Sequence, residues 1–221
     1  MISKATGINL VAAATRIALG ERLRDMPFGV GLRPHVPFVV VKVPVFSFAK
    51  MRGVETILGP EMKSTGEVLG IDTTFPAALR KAFEGAGIRV PRKGGRVLVS
   101  LALAQRERTD TEVLKRYARL GCTLIATPAT YDVLAAEGLD VQRAEDVLSL
   151  IGQRSLDLVI NTVTGSREAT DGYRIRRAAA EANIACLTSL DTAAALANAL
   201  EHPAGSPRSL QEYHELAGVR P

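Results

Sequence analysis

RVLVSLA, residues 96–102, is an apolar run of strand length that begins a regular pattern in the second half of this 221-residue chain. Three similar runs follow, and a weaker fifth lies near Val141: TLIAT (123–127), LDLVINT (156–162) and IACLTS (184–189). Amphipathic segments that suit helices lie between these runs. Strands that alternate with helices predict βαβ units, and therefore an α/β fold with a parallel sheet covered by helices on both faces.

The first 94 residues are less regular and predict only two helices and two strands. Helices are expected at 9–20, where Asn9 caps the start, and at 74–87, where a proline stands in the first turn; strands are expected at 37–48 and 64–71. Pro44 interrupts the first strand, which predicts an edge strand or a bulge. So few elements would hardly bury a complete core alone.

A short basic segment rich in Pro and Gly, IRVPRKGG at 88–95, predicts a domain boundary. The charge changes at the same place, because residues 1–94 carry 14 Lys and Arg against 7 Asp and Glu and the remainder carries 14 against 16. The overall +5 is thus spread thinly, without a basic run or interleaved aromatics, so we expect no nucleic-acid binding. The segment after Glu201 is rich in Pro, Gly and Ser and predicts a mobile tail over 201–221.

Polar residues that follow the predicted strands indicate an anion site. In an open parallel sheet, ligands bind beyond the carboxyl ends of the strands, and hydroxyls and helix N-termini suit a phosphate monoester. The residues concerned are Ser100 and Arg106 after the first strand, Thr127 and Thr130 after the second, and Asn161, Thr162, Thr164 and Arg167 after the third long run. The alternative is that the threonines are only helix N-caps, which is the commonest role of Thr at a helix start.

No catalytic or metal-binding motif accompanies this edge. The three histidines lie outside residues 95–200, and the sequence shows no nucleophile–base pairing, metalloprotease motif, P-loop or dinucleotide fingerprint. Cys122 and Cys186 are too few and too far apart for a disulfide framework or a zinc site, and predict reduced thiols. No apolar run reaches the ~20 residues of a membrane helix and no signal peptide is visible, so a cytoplasmic protein is expected.

Several motifs, in order along the chain, resemble the C-terminal end of the carbamoyl phosphate synthetase large chain. They are ISKATG at 2–7, GPEMKSTGEV at 59–68, the helix that begins TFPAALRKAF, INTVTG at 160–165 and IRRAA at 175–179. The resemblance implies that residues 1–90 are the C-terminal remnant of an ATP-grasp synthetase domain, and that 95–200 form a methylglyoxal synthase-like allosteric domain with a five-stranded parallel sheet.

The resemblance also implies cofactors and partners. In the family, the residues that hold ATP and Mg²⁺ precede ISKATG, so we expect no cofactor in this chain and no catalysis by it alone. The implied partners are the remainder of the large chain, a glutaminase small subunit and a small phosphorylated effector, with a homo-oligomer as a further assembly. Pyrimidine and arginine biosynthesis both remain open as the pathway. A fragment and a natural split subunit are likewise both open.

By the same resemblance, the effector is a nucleotide monophosphate such as UMP or IMP. Ser100, Thr127, Thr130 and Asn161 match contacting positions, and Arg106 stands where a lysine is usual. The chain departs from the family where a lysine-containing loop is replaced by AEDVLSLIGQ (144–153), around Asp146, and where Val163 replaces a threonine. These losses favour weak effector binding, and they leave a docking module with a vestigial pocket as an alternative. A methylglyoxal synthase-type lyase is a less favoured alternative, because such enzymes need a histidine beside the phosphate.

Overall fold

The computed structural model describes residues 1–33, 35–50, 56–102, 111–163, 171–203 and 205–218. Two regions can be distinguished in it: an N-terminal region up to about residue 90, and a sheet region from residue 96 to Glu201. The helices are α1 Ile2–Thr6, α2 Leu10–Ala18, α3 Phe75–Gly85, α4 Glu112–Arg119, α5 Pro128–Ala136, α6 Val147–Gly152, α7 Asp171–Glu181, α8 Leu190–Glu201 and α9 Leu210–Leu216. The strands are β1 Val39–Val45, β2 Gly66–Asp72, β3 Arg96–Ser100, β4 Thr123–Ala126, β5 Gln142–Arg143, β6 Leu158–Asn161 and β7 Ala185–Leu187. Short 3₁₀ turns occur at Leu23–Asp25 and Phe48–Lys50.

The sheet region contains a five-stranded sheet in the order β5-β4-β3-β6-β7, and every neighbouring pair is parallel. This confirms the predicted fold class, including the weak strand near Val141, which is the two-residue β5. From β3 the chain goes to β4 on one side and returns later to β6 on the other. The strand order therefore reverses between β3 and β6, and the carboxyl ends of these two strands border a crevice.

Helices cover both faces of this sheet because successive side chains of a strand point to opposite faces. Val97 and Val99 of β3 belong to a core shared with α3, α4 and α8, whereas Leu98 belongs to a second core with α6 and α7. The central strands are therefore buried on both faces, as their continuous apolar runs predict.

The N-terminal region pairs β1 with β2 in an antiparallel ribbon. The register runs unbroken from Val39 opposite Asp72 to Val45 opposite Gly66, and Pro44 stands opposite Glu67. Because the ribbon has only two strands, Pro44 lies in an edge strand, and of the two predicted explanations the edge strand is confirmed and the bulge is not. The predicted cap of α2 is also present, since Asn9 Oδ1 accepts from Ala12 N at 3.0 Å.

The ribbon and α3 do not close a core of their own but pack against the sheet region. Val43 of β1, together with Leu79, Ala82 and Phe83 of α3, belongs to the core cluster that contains β3 and α8. Gly70 allows the ribbon to approach α3, because a Cβ atom there would lie 1.9 Å from the carbonyl oxygen of Ala78. The expectation that residues 1–94 would not bury a complete core alone agrees with this shared packing.

The segment after Glu201 differs from the predicted mobile tail. Its residues 210–216 form α9, whose start has a capping box in which Ser209 and Glu212 bond each other's backbone N–H groups. Tyr213 is buried against Phe38, with the ring centroids 5.4 Å apart, and donates its hydroxyl to Ile71 O at 2.7 Å. The sequence did not predict α9, because the helix is short and follows a stretch rich in Pro and Gly. Its contacts with the N-terminal region stabilise it.

Within the part of the chain that the structure describes, no helix has the length and apolar character needed to cross a membrane. Both cysteines are free thiols, as expected. The described residues also include no group of three or more His, Cys, Asp or Glu side chains that could hold a metal ion.

Candidate effector site

Three predicted site residues stand side by side at the carboxyl edge of the sheet. Ser100 pairs with Asn161 across β3 and β6, and Val99 pairs with Ala126, which brings Ser100 level with Thr127. By alternation, the side chains of Ser100 and Asn161 lie on the face of the sheet that α6 and α7 cover, and Thr127 directly follows β4 beside them. The edge at which they meet is the crevice where the strand order reverses, so the fold brings them together where an open α/β sheet binds ligands.

Thr127 and Thr130 form a hydroxyl pair at the start of α5. Thr130 is 1% exposed, and its Oγ1 accepts hydrogen bonds from Leu101 N and from Thr127 Oγ1, both at 3.0 Å. Thr127 is half-buried and occupies the N-cap position, but its side chain makes no cap hydrogen bond. The alternative that these hydroxyls are ordinary side-chain caps is therefore not what the structure shows. Thr130 ties the segment after β3 to α5, and Thr127 is the more accessible member.

Thr162 has a similar structural task on the neighbouring strand. Its buried Oγ1 accepts from Ala102 N at 2.8 Å, and its own N–H donates to Ser100 O at 3.0 Å. The hydroxyls of Thr130 and Thr162 thus hold both sides of the chain as it leaves β3. Arg106, Thr164 and Arg167 lie outside the described residues, and their roles stay predictions.

Asn161 is the most informative residue of the edge. It is 1% exposed, and its Oδ1 accepts from Arg176 Nη1 on α7 at 3.0 Å. Its Nδ2 has no hydrogen-bond partner among the described residues. The amide lies beneath the first turn of α7, since a Cβ on Gly172 would be 3.4 Å from Oδ1 and 3.7 Å from Nδ2. Buried N–H groups are nearly always partnered in folded proteins, so this unpartnered donor is an exception that calls for an explanation.

Comparisons with known proteins match most of this chain. The family profile described as "MGS-like domain" matches residues 111–188, which include Thr127, Thr130, Asn161 and α7. The carbamoyl phosphate synthase large chain of Agathobacter rectalis is 45% identical over 209 residues, which is 90% of this chain and 19% of that protein.

This chain carries an MGS-like domain. It is homologous to the carbamoyl phosphate synthase large chain, and the similarity reaches well beyond the MGS-like domain into the N-terminal region. The chain spans about a fifth of the length of that curated relative. The resemblance on which the sequence-based expectations rest is therefore confirmed, with a match consistent with the relative's C-terminal portion.

Arg176 is a residue of the MGS-like domain that the sequence reasoning did not assign to the site. It is 4% exposed and brings a guanidinium to the buried amide of Asn161. The available signal was the pair of adjacent arginines in GYRIRRAAAEAN, on a helix whose neighbouring positions Ile175 and Ala179 are buried. An arginine at such a position is seldom only a surface charge.

The segment at 144–153, where the resemblance predicts a lysine-containing loop, contains the short helix α6. Asp146 is the N-cap of α6, and its Oδ1 accepts from Ser149 N at 3.0 Å. The carboxylate therefore stabilises a helix start. The segment between Ala144 and Gln153 contains no Lys or Arg.

Next to Asn161 lies Cys186 of β7, whose thiol is not an activated nucleophile. Burial raises the pKa of Cys186 to about 12, and this effect outweighs the charge of Arg176 and the N–H of Asn161, which both lower it. The thiol stays protonated at neutral pH and acts as a small apolar group. The edge therefore offers donors and positive charge for binding, but no thiolate for chemistry.

Two clefts lie near the sheet, and they differ in their relation to the edge. One, of about 380 Å³, separates the end of β1 from β7 and is lined by Arg176, Thr188 and Cys186 among others. The other, of about 700 Å³, lies at the amino end of β3 along the basic segment with Arg92 and Lys93. None of the predicted site residues that the structure describes lines either cleft.

Proposed function

We propose that this chain is the regulatory C-terminal portion of a carbamoyl phosphate synthetase and that it binds a small phosphorylated effector at the carboxyl edge of its sheet. Its role is binding rather than catalysis. The synthetase reaction, ATP with Mg²⁺, the remainder of the large chain, the glutaminase subunit and a cytoplasmic location belong to the same proposal. It is supported by the MGS-like domain and by the homology to the large chain.

The observation that carries the proposal is the buried amide donor of Asn161, which has no hydrogen-bond partner among the described residues and lies beside the Arg176 guanidinium. Such a donor costs roughly 1–3 kcal/mol when no acceptor reaches it, so a ligand oxygen at this place recovers that free energy. The Ser100 hydroxyl stands in the same row and adds a neutral donor, while the Thr127 hydroxyl already donates to Thr130 Oγ1 and offers a neutral acceptor. The N-terminus of α7 adds a partial positive charge. A phosphate or a sugar oxygen matches this set, whereas a cation does not.

The effector class that fits is a nucleoside monophosphate such as UMP or IMP. We place its phosphate between the start of α5 and the segment that follows β6, with Arg106 and Arg167 as further cations and Thr164 as a further hydroxyl. The segment 144–153 supplies a capping aspartate in place of a lysine. We therefore expect weak binding, with a Kd of ~0.1–1 mM.

A specific observation favours one second candidate, a docking module whose pocket is vestigial. The hydroxyls of Thr130 and Thr162 are buried and already accept hydrogen bonds from backbone N–H groups. Two of the predicted contact residues therefore have a structural role that needs no ligand. In that case the edge would keep its shape and bind no effector.

Calorimetric titration of the purified chain with UMP, IMP and inorganic phosphate tests the two candidates. Thr127→Val removes a half-buried hydroxyl while keeping the side-chain shape, and should weaken binding by about 1 kcal/mol, or about fivefold. Thr123→Val is the matched control, because Thr123 is also half-buried and lies at the amino end of β4, whereas Thr127 directly follows its carboxyl end. Absence of binding to the unmodified chain would favour the docking module. Equal weakening by both variants would remove Thr127 from the site.

A further inference from the structure

Two consecutive arginines of α7 are buried, and they reach different parts of the molecule. Arg176 is 4% exposed and Arg177 is 8% exposed. Charged side chains are rarely so buried unless they are paired and hydrogen-bonded. Neighbouring residues of a helix point about 100° apart, so the two guanidinium groups extend in different directions from one rigid element.

Arg176 joins α7 to the carboxyl edge of the sheet. Its Nη1 donates to Asn161 Oδ1 at 3.0 Å, inside the second core. Any ligand that engages the free Nδ2 of Asn161 acts on a side chain whose other end is held by α7. The position of α7 is thus linked to what occupies the edge.

Arg177 joins the same helix to the N-terminal region. Its Nη2 donates to the carbonyl oxygen of Phe48 at 2.9 Å, and its Nε donates to Glu181 Oε1 at 2.9 Å one turn further along α7. The hydrogen bond to Glu181 orients the guanidinium, and the hydrogen bond to Phe48 connects α7 with the N-terminal region. Charge-assisted hydrogen bonds of this kind are shorter and stronger than neutral ones.

The segment that Arg177 contacts contains a pair of stacked aromatic rings. The rings of Phe46 and Phe48 stack with their centroids 4.9 Å apart and 8° between their planes. They follow directly after Val45, the last residue of β1. A displacement of α7 is therefore transmitted to the end of the β1–β2 ribbon through Arg177 rather than being lost in a loop.

We infer that α7 couples occupancy of the carboxyl edge to the N-terminal region, with Arg176 as the positioning residue at the edge and Arg177 as the positioning residue at the ribbon. The identity of the ligand rests on the proposed function, but the coupling does not, because the contacts on both sides are present in the chain itself. The inference gives the regulatory role a physical route from Asn161 to Phe48.

Hydrogen exchange of the β1 and β2 amides in the full chain is the test. The variant is Arg177→Met, which keeps the aliphatic stem and removes the donors. Its matched control is Arg174→Met on the same helix, where the arginine side chain is 62% exposed. Each is measured with and without saturating UMP, and with and without Asn161→Ala. In the unmodified chain, UMP should slow exchange of the β1 amides and Asn161→Ala should accelerate it, by about threefold or more. In Arg177→Met both responses should disappear, whereas Arg174→Met should keep them.

The arms separate the coupling from the proposed function. If UMP, IMP and phosphate all fail to bind the unmodified chain, the proposed function fails, and the Asn161→Ala arm still decides the coupling. The coupling is overturned if Asn161→Ala leaves β1 exchange unchanged in the unmodified chain, or changes it equally in Arg177→Met. If Arg177→Met does not fold, Arg177→Lys replaces it, because lysine keeps the charge but loses the two-pronged geometry. A full response to Asn161→Ala in Arg177→Lys then overturns the role of Arg177.

Discussion

The sheet region and the N-terminal region use similar amounts of β-rich sequence but bury it very differently. Every residue of β6 is buried, as are the three central residues of β3, whereas β1 and β2 each have a single buried residue. The five-stranded sheet has helices on both faces and closes two cores, while the two-stranded ribbon relies on α3 and on the other region. The sheet region supplies most of the residues of both cores, whereas the N-terminal region depends on surfaces supplied by the rest of the molecule.

The exposed apolar side chains follow the same division. Val11, Leu19, Val30, Leu32 and Met62 are all exposed, and all belong to the N-terminal region. We expect that region to be the less stable of the two, and the predictions below probe that difference in order of decreasing effect.

Gly70→Ala should separate the two regions most clearly. The added methyl group would collide with backbone atoms of α3, which cannot move as a flexible side chain could. We expect the N-terminal region to lose about 3 kcal/mol or more of stability. Hydrogen exchange should show faster exchange in β1 and β2 with β3, β4 and β6 unchanged. The control is Gly152→Ala, where no atom lies within 4 Å of the added Cβ. Uniform destabilisation of both regions would contradict the division.

Tyr213→Ala should be the next largest change, because Tyr213 fastens α9 to the N-terminal region. The side chain packs on Phe38, lies beneath the Lys81 ammonium at 5.8 Å from the ring centroid, and bonds Ile71 O. We expect a loss of about 3 kcal/mol for Tyr213→Ala, and about 1 kcal/mol for Tyr213→Phe, which keeps the ring and loses the hydroxyl. Denaturant unfolding measures both. Equal effects of the two variants would show that the hydroxyl, not the ring, holds α9.

Thr130→Val should act on the sheet region, and it should lower the free energy of unfolding more than it lowers the affinity for UMP. Valine keeps the shape but leaves the buried Leu101 N–H without its acceptor, which costs roughly 1–3 kcal/mol. Thr127→Val, one turn earlier and half-buried, should cost less stability and more ligand affinity. Denaturant unfolding and titration with UMP, carried out on both variants, check this opposite ordering. The same ordering for both properties would mean that the two hydroxyls share one role.

Asp72 should give the N-terminal region a small, pH-dependent contribution to its stability. Burial alone would raise the pKa of Asp72, but the hydrogen bond and charge of Lys81 at 2.7 Å, with the N–H of Thr73, hold that pKa below its ordinary value of 3.8. A lowered pKa means that the stabilisation is fully present above pH 3.8 and is lost as the pH falls through the lower, folded-state value.

Asp72→Asn is the corresponding variant. The difference in unfolding free energy between it and the unmodified chain should be largest near neutral pH and should shrink below about pH 4. Urea unfolding at pH 7 and at pH 3 measures this difference, with Asp140→Asn in the sheet region as the control. An equal difference in unfolding free energy at both pH values would show that the pKa of Asp72 is the same in the folded and unfolded chain.

Much of the site could be placed from the sequence, because it depends on local pattern. Ser100, Thr127 and Asn161 follow apolar runs, and parallel strands bring their carboxyl ends to one edge, so their meeting was predictable. Arg176 was not predicted to belong to the site, because a charged residue on a helix is expected to face solvent until the packing of that helix is known. Thr130 and Thr162 were predicted as ligand contacts, and only the contacts to Leu101 N and Ala102 N show that they hold the backbone.

The sequence by itself determined the parallel sheet, its covered faces and the resemblance to the synthetase large chain, because periodicity, helix caps and GPEMKSTGEV are properties of neighbouring residues. Only the tertiary structure decided how the two regions are joined. Arg177 reaches Phe48 over 129 positions, and Tyr213 reaches Ile71 over 142. Contacts between residues so far apart leave no local periodicity, and their free energy arises only when folding brings the partners together and removes them from water.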